Sequence, residues 1–186
     1  MRLLVASDLH GSLDSLQFLY GKAVDLAPDM LVLLGDLVYH GPRNRLPVGY
    51  DTMQVLDEMP LLTDLPCPVV AVRGNCDGEV DMGLLPFPLS ENAWLETDGL
   101  RIFASHGHRL PDRPPLPGFN KGSVILRGHT HIPRGETVDG FHFWNPGSLS
   151  LPKANSPRSY AVYEDGCFSV LDMNGNIVLR HKPAAA

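Results

Sequence analysis

The sequence predicts a single α/β (α+β) domain, in which a mixed sheet system is flanked by helices. Strand-like and helix-like patterns alternate as βαβαβ in the first half of the chain, whereas the second half contains mostly short β-prone runs and hairpin turns. Hydrophobic residues make up 44% of the 186 residues and charged residues only 19%, which favours a folded chain with a sizeable core. No linker-like stretch divides residues 1–186, so we expect one domain.

The first half begins with a short apolar strand at Arg2–Ser7, followed by apolar residues at helical spacing. Met30–Leu34 is a continuous apolar run, as expected for a strand covered on both faces. A Gly/Pro-rich loop is predicted at His40–Tyr50, a second helix at Asp51–Asp64 and a third strand at Val69–Val72.

Six β-prone runs occupy the second half, and Asp-Gly or Asn-Gly turns separate many of them. They are Trp94–Glu96, Arg101–Ser105, Val124–Leu126, Phe141–Trp144, Tyr160–Tyr163 and Phe168–Leu171. The proline-containing segment Asp112–Gly118 predicts an irregular surface loop. Both Trp94 and Trp144 are expected to pack in the core, and Trp144 could also approach a site through its neighbour Asn145.

Composition argues against several classes of protein. The net charge of -6, without a long run of one sign, argues against stable nucleic-acid binding, although bound cations would still allow a phosphate substrate. Three cysteines without CxxC spacing do not indicate a disulfide framework or a cysteine-rich zinc site. No apolar run approaches the roughly 20 residues that span a bilayer, and we see no signal peptide, so a cytoplasmic protein is the default expectation.

Five short polar clusters stand out, and each is placed where a predicted strand ends. They are Asp8-x-His10, Gly35-Asp36, Gly74-Asn75-Cys76-Asp77, His106-Gly107-His108 and Gly128-His129-Thr130-His131. One such cluster alone has an ordinary interpretation as a cap, a turn or a solvated hairpin. Their joint occurrence favours a site, because ligands bind outside the carboxyl ends of strands in open α/β sheets.

The residue types in these clusters point to metal chemistry. Carboxylate, amide oxygen and neutral imidazole suit Mn²⁺, Fe²⁺, Zn²⁺ or Co²⁺, with Ni²⁺ a further candidate, and no thiolate is required. A shared carboxylate can hold two such ions about 3.5–4 Å apart, where they clamp a phosphoryl oxygen and lower the pKa of a bridging water. The sequence therefore predicts hydrolysis by a water that two divalent metal ions activate.

The clusters resemble the signature of the calcineurin-like metallophosphoesterase superfamily: D-x-H, GD, GN-x-[DE], a lone H and GH-x-H. The resemblance extends from Asp8 to His131, and Asn145–Ser148 matches the family's Asn-Pro-Gly-Ser turn. Within the superfamily, His40–Asn44 and Arg73–Asp77 are similar to the small bacterial YfcE-type phosphodiesterases. The resemblance implies the metallophosphoesterase fold, a four-layer αββα β-sandwich flanked by helices. It also implies Mn²⁺-supported hydrolysis of a small or nucleotide-like phosphodiester, and a homodimer by analogy.

The resemblance also implies a role for each cluster residue. One ion is expected to be bound by Asp8, His10 and His131, the other by Asn75, His106 and His129, with Asp36 bridging both. These seven residues are the predicted metal ligands.

Three further residues are candidates for catalysis with alternatives open. Cys76 stands where many superfamily members have a His that protonates the leaving alcohol, and a thiol with a pKa of about 8.5 is a poorer general acid. The YfcE-type subgroup is similar in having Cys there. Asp77 either orients a metal-bound water or ligand, or is an exposed turn residue or cap. His40 either contacts the substrate phosphate, as an Arg does in related protein phosphatases, or is an ordinary loop residue.

Two other functions compete with phosphodiester hydrolysis. Cys76 in place of His would also suit a retromer-type scaffold that binds partner proteins without catalysis, although every metal-ligand position is retained. A nuclease like the double-strand-break-repair members would share the metal motifs but carry additional DNA-binding regions.

Overall fold

Two β-sheets packed face to face form the structure, a computed structural model that describes residues 1–114 and 116–183. Its strands are β1 (Leu3–Ala6), β2 (Met30–Leu33), β3 (Val69–Ala71), β4 (Asn92–Thr97), β5 (Leu100–Ser105), β6 (Val124–Arg127), β7 (Arg134–Val138), β8 (Phe141–Asn145), β9 (Ser159–Glu164), β10 (Cys167–Asp172) and β11 (Ile177–His181). Its helices are α1 (Leu13–Leu26), α2 (Thr52–Glu58), a 3₁₀-helix (Met59–Leu62) and α3 (Glu79–Leu84).

The topology brings the ends of the parallel strands together. The first sheet has the order β11-β10-β9-β1-β2-β3, and β1, β2 and β3 are parallel. The second sheet has the order β4-β5-β6-β8-β7, with β5, β6 and β8 parallel. In the first sheet Ala6 pairs with Leu33, which pairs with Ala71, so three strands end level. Ser105 and Arg127 pair in the same way in the second sheet.

Apolar side chains fill three layers. Between the sheets lie residues of both, including Val5, Ile102 and Trp144. Helices α1 and α2 cover the outer face of the first sheet, because Leu16, Leu19 and Val55 pack with side chains of β1 and β2. On the outer face of the second sheet, Leu116 and Phe119 of the proline-containing loop pack on strands β5, β6 and β8. The predicted sandwich flanked by helices is confirmed.

Local signals set the helix boundaries. The Ser12 hydroxyl accepts the backbone N–H of Ser15 (3.2 Å) and begins α1, and left-handed Ala27 before Pro28 ends it. Asp51 caps α2 in the same way. The single helix predicted at Asp51–Asp64 is wrong in its second half, because Pro60 has no N–H to continue the α-helix and the chain tightens into the 3₁₀-helix.

Two predictions about exposure can be compared with the structure. Trp144 is buried as expected, whereas Trp94 lies on edge strand β4 and remains 47% exposed beside Phe103 and Phe119. Within the described residues, no helix has the length and apolar character needed to cross a membrane.

Trp144 should dominate the stability of the layer between the sheets. It is 1% exposed and stacks on Phe168, with ring centroids 4.7 Å apart. Because Trp144→Ala leaves a cavity there, we expect the free energy of unfolding to fall by about 3–5 kcal/mol. Urea denaturation followed by far-ultraviolet circular dichroism measures this loss. The control Trp94→Ala, on the exposed edge, should cost about 1 kcal/mol; equal losses for the two variants would contradict the prediction.

Candidate active site

The loops that follow the level strand ends surround a cavity of about 970 Å³. All seven predicted metal ligands lie in these loops. Asp8 and His10 follow β1, Asp36 follows β2, Asn75 follows β3, His106 follows β5, and His129 and His131 follow β6. The five sequence clusters are therefore brought to one end of the sandwich.

Unusual backbone angles mark this end. Five of the seven residues have positive φ: Asp8 (57°), His10 (50°), Asp36 (54°), His129 (64°) and His131 (59°). Residues other than glycine rarely adopt this left-handed region, which costs free energy and persists where the surroundings enforce it. The loops thus turn sharply enough to direct each side chain back over the strand ends.

Glycines in the clusters allow very close contacts. A Cβ atom at Gly74 would overlap the backbone nitrogen and carboxylate of Asp36. At Gly128 it would overlap the Ser7 hydroxyl and lie 2.8 Å from Asp8 Oδ2. The glycines of the Gly-Asn and Gly-His motifs are therefore required by packing against the two aspartates.

Three histidines have their ring orientation fixed by backbone carbonyls. In each ring Nδ1 faces a carbonyl oxygen, so it carries the proton and leaves an acceptor lone pair on Nε2. The acceptors are Tyr39 O for His10 (2.9 Å), Leu34 O for His106 (2.6 Å) and Leu151 O for His131 (2.5 Å).

Around Asp8 these lone pairs face other acceptors. Asp8 Oδ1 lies 3.2 Å from His131 Nε2 and 3.6 Å from His10 Nε2, and the two nitrogens are 3.3 Å apart. Asp8 Oδ2 accepts hydrogen bonds from Ser7 Oγ and the His129 backbone N–H, but buried Oδ1 has no donor among the described residues. A cation between these atoms would satisfy all of them, so this donor set fits a divalent metal ion.

A second convergence lies around His106. Its Nε2 is 3.4 Å from Asp36 Oδ2 and 3.1 Å from Asn75 Oδ1. Asp36 Oδ2 is also 3.7 Å from His10 Nε2, so it faces both sets of donors. The His129 ring lies beside that of His106, with centroids 5.1 Å apart, but its nitrogens are outside the compact groups of donors.

Electrostatics couple these groups. Burial raises the pKa of Asp8, but the close approach of the His10 and His131 rings outweighs it and holds the pKa well below the ordinary value. Burial opposes protonation of His106, yet its hydrogen bond with Asp36 and the charges of both aspartates raise its pKa to about 9. Without a metal ion, His106 therefore carries a proton on Nε2 at neutral pH, in the space that the donor atoms enclose.

Comparison with known proteins now identifies the family. Residues 1–165 match the family model described as the calcineurin-like phosphoesterase superfamily domain. The chain belongs to this superfamily.

Individual relatives agree with this assignment. The chain is 40% identical to Phosphodiesterase YfcE of Escherichia coli strain K12 over 182 residues, 96% of each protein. A solved structure of that E. coli phosphoesterase matches with a TM-score of 0.89 at 37% identity, covering 97% of this chain and 98% of the other. Vps29 with Zn²⁺ from Entamoeba histolytica matches with a TM-score of 0.60 at 20% identity, covering 97% and 98%. The last similarity shows the shared phosphoesterase fold alone.

Cys76 is hydrogen-bonded to Asp36, the predicted bridging residue. Its backbone N–H donates to Asp36 Oδ1 (2.7 Å), and its Sγ accepts from Asn75 Nδ2 (3.2 Å). Burial, and then the negative charge of Asp36, raise the pKa of the thiol to about 12. The group therefore stays protonated at neutral pH and is a weak proton donor.

Asp77 is not an exposed turn residue, because it is 1% exposed. Its carboxylate accepts the backbone N–H groups of Asp36 (2.8 Å), Leu37 (2.8 Å) and Gly74 (2.7 Å). It thus holds the loops after β2 and β3 together. This is the behaviour of a capping residue, at a buried rather than an exposed position. Both oxygens are occupied by these bonds.

His40 is not placed in the cavity. Its ring packs between Tyr39 and Tyr50, and Nδ1 is 3.1 Å from the Tyr50 hydroxyl. Its neighbours Arg43 and Asn44 line the cavity instead. Arg43 and Asn44, rather than His40, are therefore placed to contact a substrate.

Sequence reasoning missed several supporting residues. Ser148 and Ser150 both donate to the carbonyl of Asp8 (2.8 Å each), which ties the Asn-Pro-Gly-Ser turn to the end of β1. Arg127 is 4% exposed, lines the cavity and pairs with Asp112. Two of these residues had a sequence signal: Ser148 ends the Asn-Pro-Gly-Ser turn, and Arg127 is a charged residue that ends an apolar strand.

Gly128→Ala tests the close approach of the Gly-His motif to Asp8. The added methyl group must displace Ser7 and Asp8, so we expect a loss of about 1–3 kcal/mol in stability. Mn²⁺ affinity should fall about 10–100-fold, as for other supports of metal ligands, and calorimetric titration measures it. The control Gly21→Ala has no atom within 4 Å of the new Cβ and should leave affinity unchanged. Unaltered affinity in Gly128→Ala would refute this account.

Stability of the metal-free protein should depend on pH through His106. Folding raises the pKa of His106 from 6.5 to about 9, so its stabilising contribution is complete below pH 6.5 and is lost as pH rises through 9. We expect the Tm of metal-stripped protein to fall over this window. Saturating Mn²⁺ should remove that fall, because the ion replaces the proton. Differential scanning calorimetry checks both, and a metal-free Tm that rises from pH 6.5 to 9 would contradict the prediction.

Proposed function

We propose that this protein is a metal-dependent phosphodiesterase that hydrolyses a small or nucleotide-like phosphodiester by means of two divalent cations, most simply Mn²⁺. The convergence of acceptor atoms from Asp8, Asp36 and three histidines carries the proposal, since these atoms have no favourable arrangement without positive charge between them. The 40% identity to a protein named as a phosphodiesterase supports the diester class.

The residues divide into two metal-binding sets in this proposal. Asp8, His10 and His131 would hold one ion and Asn75, His106 and His129 the other. Asp36, whose Oδ2 faces both His10 and His106, would be shared between them. The two ions would activate a water for attack on phosphorus and offset charge on the phosphoryl oxygens.

Other side chains determine how the substrate binds. Arg43 and Lys153 line the cavity and form no ion pair within the described part of the chain, so both are free to contact phosphate oxygens. The cavity of about 970 Å³ has room for two ester substituents. Because Cys76 is a weak proton donor, the site favours esters whose leaving alcohol needs little protonation.

Turnover after restoring metal tests the proposal. Metal-stripped protein should hydrolyse bis(p-nitrophenyl) phosphate once Mn²⁺ is added, as measured by p-nitrophenolate release. Asp36→Asn should lower kcat/KM by about 10²-fold or more and weaken Mn²⁺ binding, because it removes the bridging charge. Asp57→Asn, an exposed residue on α2, serves as the matched control.

The same experiment separates an enzyme from a scaffold. A scaffold would show no turnover, and its partner binding would survive Asp36→Asn. Absence of hydrolysis with Mn²⁺, Zn²⁺, Fe²⁺, Co²⁺ and Ni²⁺ alike would overturn the proposed function. Hydrolysis that Asp36→Asn leaves intact would overturn the bridging role.

A further inference from the structure

A series of hydrogen bonds among β7, β8 and β11 fixes the proton positions of two histidines. Trp144 Nε1 can only donate, and it lies 2.8 Å from His181 Nδ1. Neutral His181 therefore carries its proton on Nε2, which donates to Thr137 Oγ1 (3.0 Å). The Thr137 hydroxyl proton is then directed to His142 Nδ1 (2.8 Å).

His142, the last residue in this series of hydrogen bonds, has a free donor at Nε2. Because His142 Nδ1 accepts from Thr137, the neutral ring carries its proton on Nε2. Burial lowers the pKa of both His142 and His181, in agreement with neutral rings at pH 7. His142 is only 6% exposed, yet its Nε2 has no hydrogen-bond partner in residues 1–114 and 116–183. The N–H group is therefore available to donate to a molecule that binds beside the ring.

That donor belongs to a second cavity, of about 570 Å³. Both His142 and Ser123 line this cavity, and Ser123 is likewise 6% exposed. The two are adjacent, because the backbone N–H of His142 donates to Ser123 O (3.0 Å). The Ser123 hydroxyl also forms no hydrogen bond with any described residue. The cavity lies at the amino ends of β5, β6 and β8, so the length of the strands separates it from the metal-binding loops.

Positive side chains surround the same cavity. Arg101, Lys121 and Lys182 line it, and neither lysine forms an ion pair within the described residues. The stem of Lys121 lies against Gly140, where an added Cβ would be 3.1 Å from its Cδ. Arg101 is partly engaged by Glu96 (3.4 Å).

One carboxylate also lines this space. Asp98 accepts the Tyr163 hydroxyl (2.9 Å) and lies 3.9 Å from the amino-terminal nitrogen of Met1. Its charge is therefore engaged by other groups, and the balance of the cavity is positive.

We propose that this cavity is a second ligand site, for a small molecule that carries a phosphate group. His142 Nε2 and the Ser123 hydroxyl would donate to phosphate oxygens, while Lys121 and Lys182 supply positive charge. The volume exceeds that of phosphate and leaves room for an attached organic group. The proposal does not depend on the proposed phosphodiesterase activity, because no residue is shared between the two sites.

Imidazole nitrogen NMR of the full chain loaded with Zn²⁺ tests the site directly. Before ligand is added, His142 and His181 should both show the neutral Nε2–H form. On titration with inorganic phosphate, the His142 Nε2 signal should shift and saturate. An Nδ1–H form of His142, or a shift that grows linearly without saturation, would overturn the proposal. Because the measured signal comes from His142, phosphate that binds at the metal-binding loops does not contribute to it.

Variants give the test its controls. Lys121→Ala combined with Lys182→Ala should weaken phosphate binding at His142 by roughly tenfold or more. Lys153→Ala, at the rim of the first cavity, should leave it unchanged. Thr137→Val should remove the preference of His142 for the Nε2–H form, and Thr137→Ser should preserve it. Phosphate binding unaffected by loss of both lysines would overturn the assignment.

Discussion

The carboxylates of Asp8 and Asp36 and the Nε2 lone pairs of His10, His106 and His131 all face one buried space. Two like charges about 4 Å apart repel by about 4 kcal/mol at an effective dielectric constant of 20, and burial removes the water that would relieve them. The arrangement is favourable only with positive charge at its centre. Protons supply that charge in the metal-free protein and divalent ions would supply more of it, so the rest of the fold can be understood as support for this convergence.

Several weak supports together hold the strand ends in an otherwise unfavourable conformation. The left-handed residues after β1, β2 and β6 cost free energy, which contacts with their surroundings must offset. Asp77 binds three backbone N–H groups, Ser148 and Ser150 bind the carbonyl of Asp8, and glycines permit the loops to touch. Geometry at the site is therefore set by backbone contacts that are in place before any ion binds.

How much the sequence could predict depends on how far apart along the chain the interacting residues lie. Apolar runs located β1, β2 and β3 because burial on both faces leaves a local signature, and the cluster motifs located the donor residues. The carbonyl partners of the histidines carry no sequence signal, since any residue supplies a carbonyl. The role of Asp77 depends on a loop 41 residues away, and the position of His40 outside the cavity lining depends on packing with Tyr50, so neither could be predicted from the local sequence. Trp94 is exposed because β4 is an edge strand, which only the sheet order reveals.

Charge at the site also bears on the substrate class. The chain carries a net charge of -6, which alone would repel an anionic ester. Two divalent cations, as proposed, would reverse this sign locally, because their four positive charges would exceed the two negative charges of the ligands Asp8 and Asp36. That local excess would attract an anionic ester, and Arg43 and Lys153 at the rim extend it outward. Because Cys76 is a weak proton donor, a site built in this way would favour an ester whose leaving alcohol needs little protonation.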